Sequence, residues 1–184
     1  MKKNIRIFII VIIVALIAFL AWFAFSREWQ GNDYLNYVNT KHQFSFQYPP
    51  DWHMSGNAES DIIQIYSIEQ ELADGGLPLG VRAEIIILEN YEKMELDEWV
   101  NWINKKQEGE SKVATHEKIK IGGISAIRES YLPTFDNEGP PISVYLARED
   151  NIILINYLGG EPDYTENMKE LERLLQSWSF QPRG

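Results

Sequence analysis

Residues 7–25 are 19 consecutive residues without a charge, nearly all Ile, Val, Leu, Phe or Ala. A helix packed into a soluble core is seldom apolar on every side. As a helix this run would span about 28 Å, close to the thickness of a bilayer's hydrocarbon core. Trp22 falls near its far end, where an indole favours the membrane interface. Lys2, Lys3 and Arg6 precede it, and basic flanks stay on the cytoplasmic side. The expectation is a single-pass anchor in residues 1–26, in contact with membrane lipid. The N-terminus would be cytoplasmic and everything after the anchor extracytoplasmic, at the cell membrane. A cleaved leader is the competing reading, because Ala24 and Ser26 are small enough to flank a cleavage site. Such leaders carry a shorter apolar region, so the length favours the anchor.

Charge divides the chain at the same place. The formal net charge is −10, and every acidic residue lies beyond Ser26. Three of the 17 basic residues precede that point, leaving 14 against 27 acidic ones, a net −13. An acidic domain repels phosphate backbones, which argues against nucleic acid as a partner. There is no cysteine, hence no disulfide framework, no thiolate metal site and no thiol to carry a lipid.

Residues 27–40 are mixed and polar and read as a juxtamembrane spacer, with the folded domain occupying 41–184. Within it, 42–48 alternates: Phe44, Phe46 and Tyr48 face one way, Gln43, Ser45 and Gln47 the other. Pro49 and Pro50 end that strand. Further strands are expected at 62–68 and 81–88, the latter apolar on both faces toward its end and so covered on both sides. Leu96, Trp99, Val100 and Ile103 have helical spacing, with Asp97 and Glu98 in the first turn and Lys105 and Lys106 in the last. Strands at 113–121 and 124–132 flank Gly122-Gly123, a tight hairpin turn. Strands at 142–148 and 151–158 form a second hairpin around Asp150-Asn151. A last helix carries Tyr164, Met168, Leu171, Leu174, Leu175 and Trp178, with Asp163 and Glu166 as a capping box. Phe180 then docks back on the core. The order β-β-β-α-β-β-β-β-α, with tight hairpins, predicts an α+β layered domain built on an antiparallel sheet.

Phe44-Ser45-Phe46-Gln47-Tyr48-Pro49-Pro50-Asp51-Trp52 resembles the opening of the PsbP-like domain, also called the Mog1/PsbP-like fold, where an F-x-F-x-Y-P strand precedes a Trp. Leu96-Asp97-Glu98-Trp99-Val100, the Ile121–Ala126 hairpin and the Trp178-Ser179-Phe180 ending match in order and spacing, so the likeness covers roughly residues 41–182. The resemblance implies an antiparallel β-sheet sandwiched by helices and no shared catalytic residues. Members of that group assist photosystem II, bind a small GTPase, or are attached to bacterial membranes. It therefore implies accessory binding.

The chemistry of catalysis is not spelled out in the chain. His42, His53 and His116 are isolated, with no H-x-x-x-H spacing for a metal. Asp136 and Glu138 share the acidic loop 133–141 but lack the ligand register of a calcium loop. Ser125 in Gly123-Ile124-Ser125-Ala126 sits between two strands, where a nucleophile elbow needs a strand and then a helix. No catalytic, cofactor or metal residue is assigned. Exposed aromatics often anchor partners, so Trp102, with Asp136 and Glu138, is the candidate partner-binding set, and Tyr145 and Tyr157 could line the same surface. The reading is a membrane-anchored extracytoplasmic binding or accessory module contacting an envelope protein or ligand. The alternatives are an envelope hydrolase using a carboxylate pair and a structural component of a membrane complex.

Overall fold

The computed structural model describes residues 34–67, 80–106, 112–134, 138–160 and 162–181. In chain order these form β1 (Leu35–Asn39), β2 (Phe44–Tyr48), β3 (His53–Ser55), β4 (Ile62–Tyr66), β5 (Val81–Glu89), α1 (Leu96–Lys106), β6 (Val113–Ile121), β7 (Ile124–Tyr131), β8 (Ile142–Arg148), β9 (Asn151–Gly159), α2 (Asp163–Ser177) and β10 (Ser179–Phe180). The strands make two antiparallel sheets, one ordered β1-β2-β10 and one ordered β3-β4-β5-β9-β8-β7-β6.

Strand alternation sends the large sheet's side chains to two faces. Ile85, Val144, Ile153, Ile155 and Tyr157 point one way and pack with Leu171, Leu174 and Leu175 of α2 and with Phe44 and Phe46 of the small sheet. Ile127, Tyr145 and Ile152 point the other way, under Trp99 and Val100 of α1. The large sheet therefore lies between a helix on each side, as the apolar strand 81–88 required. Trp178 leaves α2 in extended conformation and stacks on both Phe44 and Phe46, at centroid distances of 4.8 and 5.1 Å. Burying side chains of this size contributes about 1.5–3 kcal/mol each, which fastens the small sheet to α2.

The folded body begins earlier than residue 41. Residues 35–39, read as part of a spacer, form β1 and pair with the whole of β2. Asn39 is fully buried because its amide is satisfied: Nδ2 donates to the Ser60 carbonyl at 2.9 Å and Oδ1 accepts from the His42 N–H at 2.8 Å. The Ser60 carbonyl is 21 residues away in the chain, so the local polarity of the segment concealed a strand. The capping box is also corrected. Pro162 is the N-cap of α2, and among the described residues no side chain caps the helix. The Gly160 carbonyl accepts from the Tyr164 N–H at 2.9 Å, a backbone acceptor where a side-chain cap was expected. Asp163 and Glu166 still place negative charge in the first turn.

Gly122 and Gly123 have φ of 56° and 83°, so the tight hairpin forms as the glycines predict. The β8–β9 turn is displaced by one residue: Glu149 takes the left-handed conformation at φ 59°, and Asn151 already belongs to β9. Among the described residues no helix is long and apolar enough to cross a membrane. The expected anchor, in residues 1–26, lies outside the described residues.

Candidate functional site

Across the strands, the α1 face of the large sheet carries its side chains in rows. One row is apolar: Ile62, Ile86, Leu154, Tyr145 and Ile127 stand opposite one another in register. The next is polar: Gln64, Glu84, Asn156, Ser143, Glu129 and His116. Helix α1 covers the Tyr145–Ile127 end of this face and leaves the β4 end open, where Ile62 is 56% exposed.

The uncovered part forms a half-open groove of about 570 Å³. Trp99 and Ile103 of α1 line one wall, and Thr134, Glu138 and Pro141 line the other. Ile86, Leu88, Leu154 and Leu158 make an apolar floor, with Ser143, Asn156, Tyr131 and Tyr145 placed among them. An apolar cleft with a few fixed polar groups is the usual form of a binding site.

Beneath the groove, Glu129 holds α1 to the sheet. Its side chain is 1% exposed. Asn104 of α1 donates to both carboxylate oxygens, at 3.0 and 3.1 Å, and the His116 Nδ1 lies 2.9 Å from Oε1. Tyr131 donates its hydroxyl proton to Oε2 at 2.8 Å. Its own oxygen lies 2.9 Å from the Tyr145 hydroxyl. Since the Tyr131 proton is committed to the carboxylate, Tyr145 is the donor in that second bond. The protons thus point in one direction, Tyr145 to Tyr131 to Glu129. Burial pushes the Tyr131 phenol far above its ordinary range, reinforced by Tyr145 and by the Glu129 charge, and burial also raises Tyr145. Both phenols stay neutral donors, and the satisfied carboxylate fixes the position of the α1 wall.

The predicted candidates fall apart in space. Glu138 lines the groove, with Oε2 accepting from the Thr134 N–H at 2.8 Å and its backbone bridged to Gly160. Trp102 is 38% exposed on α1 and stands outside the groove lining, its ring against Trp99 and under the Lys106 ammonium at 3.8 Å. Asp136 lies outside the described residues. Tyr145 reaches the groove, whereas Tyr157 is buried in the core on the opposite face. Glu129 and Tyr131 were missed. Their signal was present in β7, where Ile127, Glu129 and Tyr131 alternate onto one covered face.

The histidines are separately engaged: His42 with Asp61 at 2.6 Å, His53 stacked on Tyr66, and His116 with Glu129. Hydrogen bonds from Lys41 and then His42 hold Asp61 below its ordinary value. No group of three or more metal-ligating side chains converges among the described residues. A second hollow of about 220 Å³ lies beside Lys41, His42 and Arg148. Its cations are committed, since Lys41 and His42 pair with Asp61 and Arg148 donates to the carbonyls of His42, Gln43 and Gln181.

These layers and this strand order define an α+β domain with the Mog1/PsbP-like fold. Among solved structures, cyanobacterial PsbP (CyanoP) from Synechocystis is similar with a TM-score of 0.57 and 13% identity, covering 81% of this chain and 93% of that one. LpqN, involved in cell envelope biogenesis of Mycobacterium tuberculosis, gives a TM-score of 0.54 at 9% identity, with 83% and 94% covered. The Saccharomyces cerevisiae Ran-binding protein Mog1p gives 0.52 at 10% identity, with 80% and 95% covered. At these identities the likeness is one of fold, on which different functions are grafted. The sequence matches no family model and no curated protein.

Proposed function

We propose that this chain is a non-enzymatic binding module, anchored in the cytoplasmic membrane by residues 7–25, whose outward-facing domain holds a segment of an envelope protein in the groove beside α1. The observation that carries the reading is the groove itself. Its floor is apolar at Ile86, Leu88 and Leu154, yet it lies open at the surface of a domain that is otherwise strongly charged. An apolar surface of this kind on an acidic protein marks a place where a partner is held. The names of two structural neighbours point the same way: Mog1p is a Ran-binding protein, and LpqN is tied to the cell envelope.

A photoreactive residue placed at Ile103 of the full chain, in its native membranes, tests the reading. One reproducible protein adduct is expected from that position. It should be absent when the reactive residue replaces Lys169, which is exposed on α2, and lost when Leu154→Glu charges the groove floor. Equal labelling from both positions, or none above background from 103, would sink the proposal.

A further inference from the structure

Arg82 sits on the open part of the α1 face, in a cross-strand row of His53, Tyr66, Arg82 and Leu158. It is half-buried, and its Nε is sealed from solvent without an acceptor. Among the described residues it forms no ion pair. The carboxylate two residues along on the same face does not serve it, because Glu84 Oε1 instead accepts from Gln64 Nε2 at 2.6 Å. Other arginines of the domain are engaged: Arg128 pairs with Glu172 at 2.6 Å, and Arg148 donates to three backbone carbonyls.

A guanidinium N–H that gives up water without gaining an acceptor, as the Arg82 Nε–H does, carries an uncompensated free-energy cost. In a domain with a net charge of −13, acceptors are abundant, yet among the described residues none reaches the Arg82 Nε. We propose that Arg82 is the receptor for a single oxyanion, with Tyr66 and His53 as neighbouring donors. The planar fork of arginine matches a carboxylate through two parallel N–H bonds. The surrounding negative charge repels a polyanion and admits one isolated acidic group, so a lone carboxylate of a bound molecule is the fitting ligand. Inorganic phosphate shares the chemistry. Leu158 follows Arg82 in the row and lines the groove, so the anion would lie at the groove's edge. The site stands on Arg82 alone and does not need the groove to be occupied.

The test is a titration of the full chain in detergent micelles, with arginine Nε labelled for magnetic resonance. Sodium acetate and sodium phosphate are each compared with sodium chloride at matched ionic strength. Saturable shifts of the Arg82 Nε–H and Tyr66 ring signals are expected with acetate and absent with chloride. Saturation by phosphate alone keeps the oxyanion site and assigns it to phosphate. The Tyr66 response should be lost in Arg82→Gln and weakened in Arg82→Lys, which keeps the charge without the fork and serves if the glutamine variant does not fold. A response to chloride equal to that for acetate and phosphate, or a Tyr66 shift that survives Arg82→Gln, overturns the assignment.

Discussion

The hydroxyl of Tyr131 donates to Glu129 Oε2 at 2.8 Å, across two residues of one strand and on the face that α1 covers. That bond, with Asn104 from the helix, joins the α1 wall of the groove to its floor. Tyr131→Phe removes the donor and leaves a buried carboxylate oxygen short of a partner, a change that costs about 1–3 kcal/mol. Urea unfolding of the variant should show a loss in that range. A midpoint equal to that of the parent would mean the network contributes nothing.

The same phenols predict an alkaline limit. Tyr131 and Tyr145 are both raised in the folded protein, chiefly by burial. Their contribution is therefore fully present below the unfolded-state value of about 10 and declines as pH rises beyond it, because only the unfolded chain can release those protons there. Unfolding free energy should fall above about pH 10, and less steeply in Tyr131→Phe. An equally steep fall in the variant would place the cause elsewhere.

Arg148 clamps the ends of the small sheet. It donates to the carbonyls of His42, Gln43 and Gln181, and its guanidinium stacks 4.5 Å from the Phe180 ring. Lysine has the charge without the fork. In Arg148→Lys, the Gln181 amide, which donates to Gln43, should exchange its hydrogen about tenfold faster, the equivalent of roughly 1.4 kcal/mol. Unchanged exchange at Gln181 would show that β10 is held by its aromatic stack alone.

Gly139 adjoins the groove wall at Glu138, and a Cβ there would run into the ring of Tyr164, whose hydroxyl donates to the Pro140 carbonyl. Gly139→Ala should cost about 1–3 kcal/mol through overpacking, and Tyr164→Leu in the same background should recover part of it. If Gly139→Ala unfolds at the parent's midpoint, the contact is not confining.

Much of the sheet was legible because its strands bury one side or both. Alternation of Phe44, Phe46 and Tyr48, the Gly122-Gly123 turn and the helical spacing around Trp99 and Leu171 are local signals, and each element formed where they stand. β1 was not legible, since the buried Asn39 amide depends on the Ser60 carbonyl, 21 residues away. β3 and β10, of three and two residues, are too short to carry a period.

The candidate site shows the same division more sharply. Glu138 was singled out for its acidic loop and does line the groove, but Ile86, Ile103, Leu154 and Leu158 looked like ordinary core positions. Sequence alone determined which residues alternate, which turn and where charge changes sign, because those depend on neighbours a few positions apart. Only the tertiary structure decided that α1 stops short of β4, that Glu129 is buried beneath it, and that the Arg82 Nε is sealed without an acceptor among the described residues. Those outcomes depend on which strands become neighbours and how far one helix reaches across them, and no local pattern encodes that.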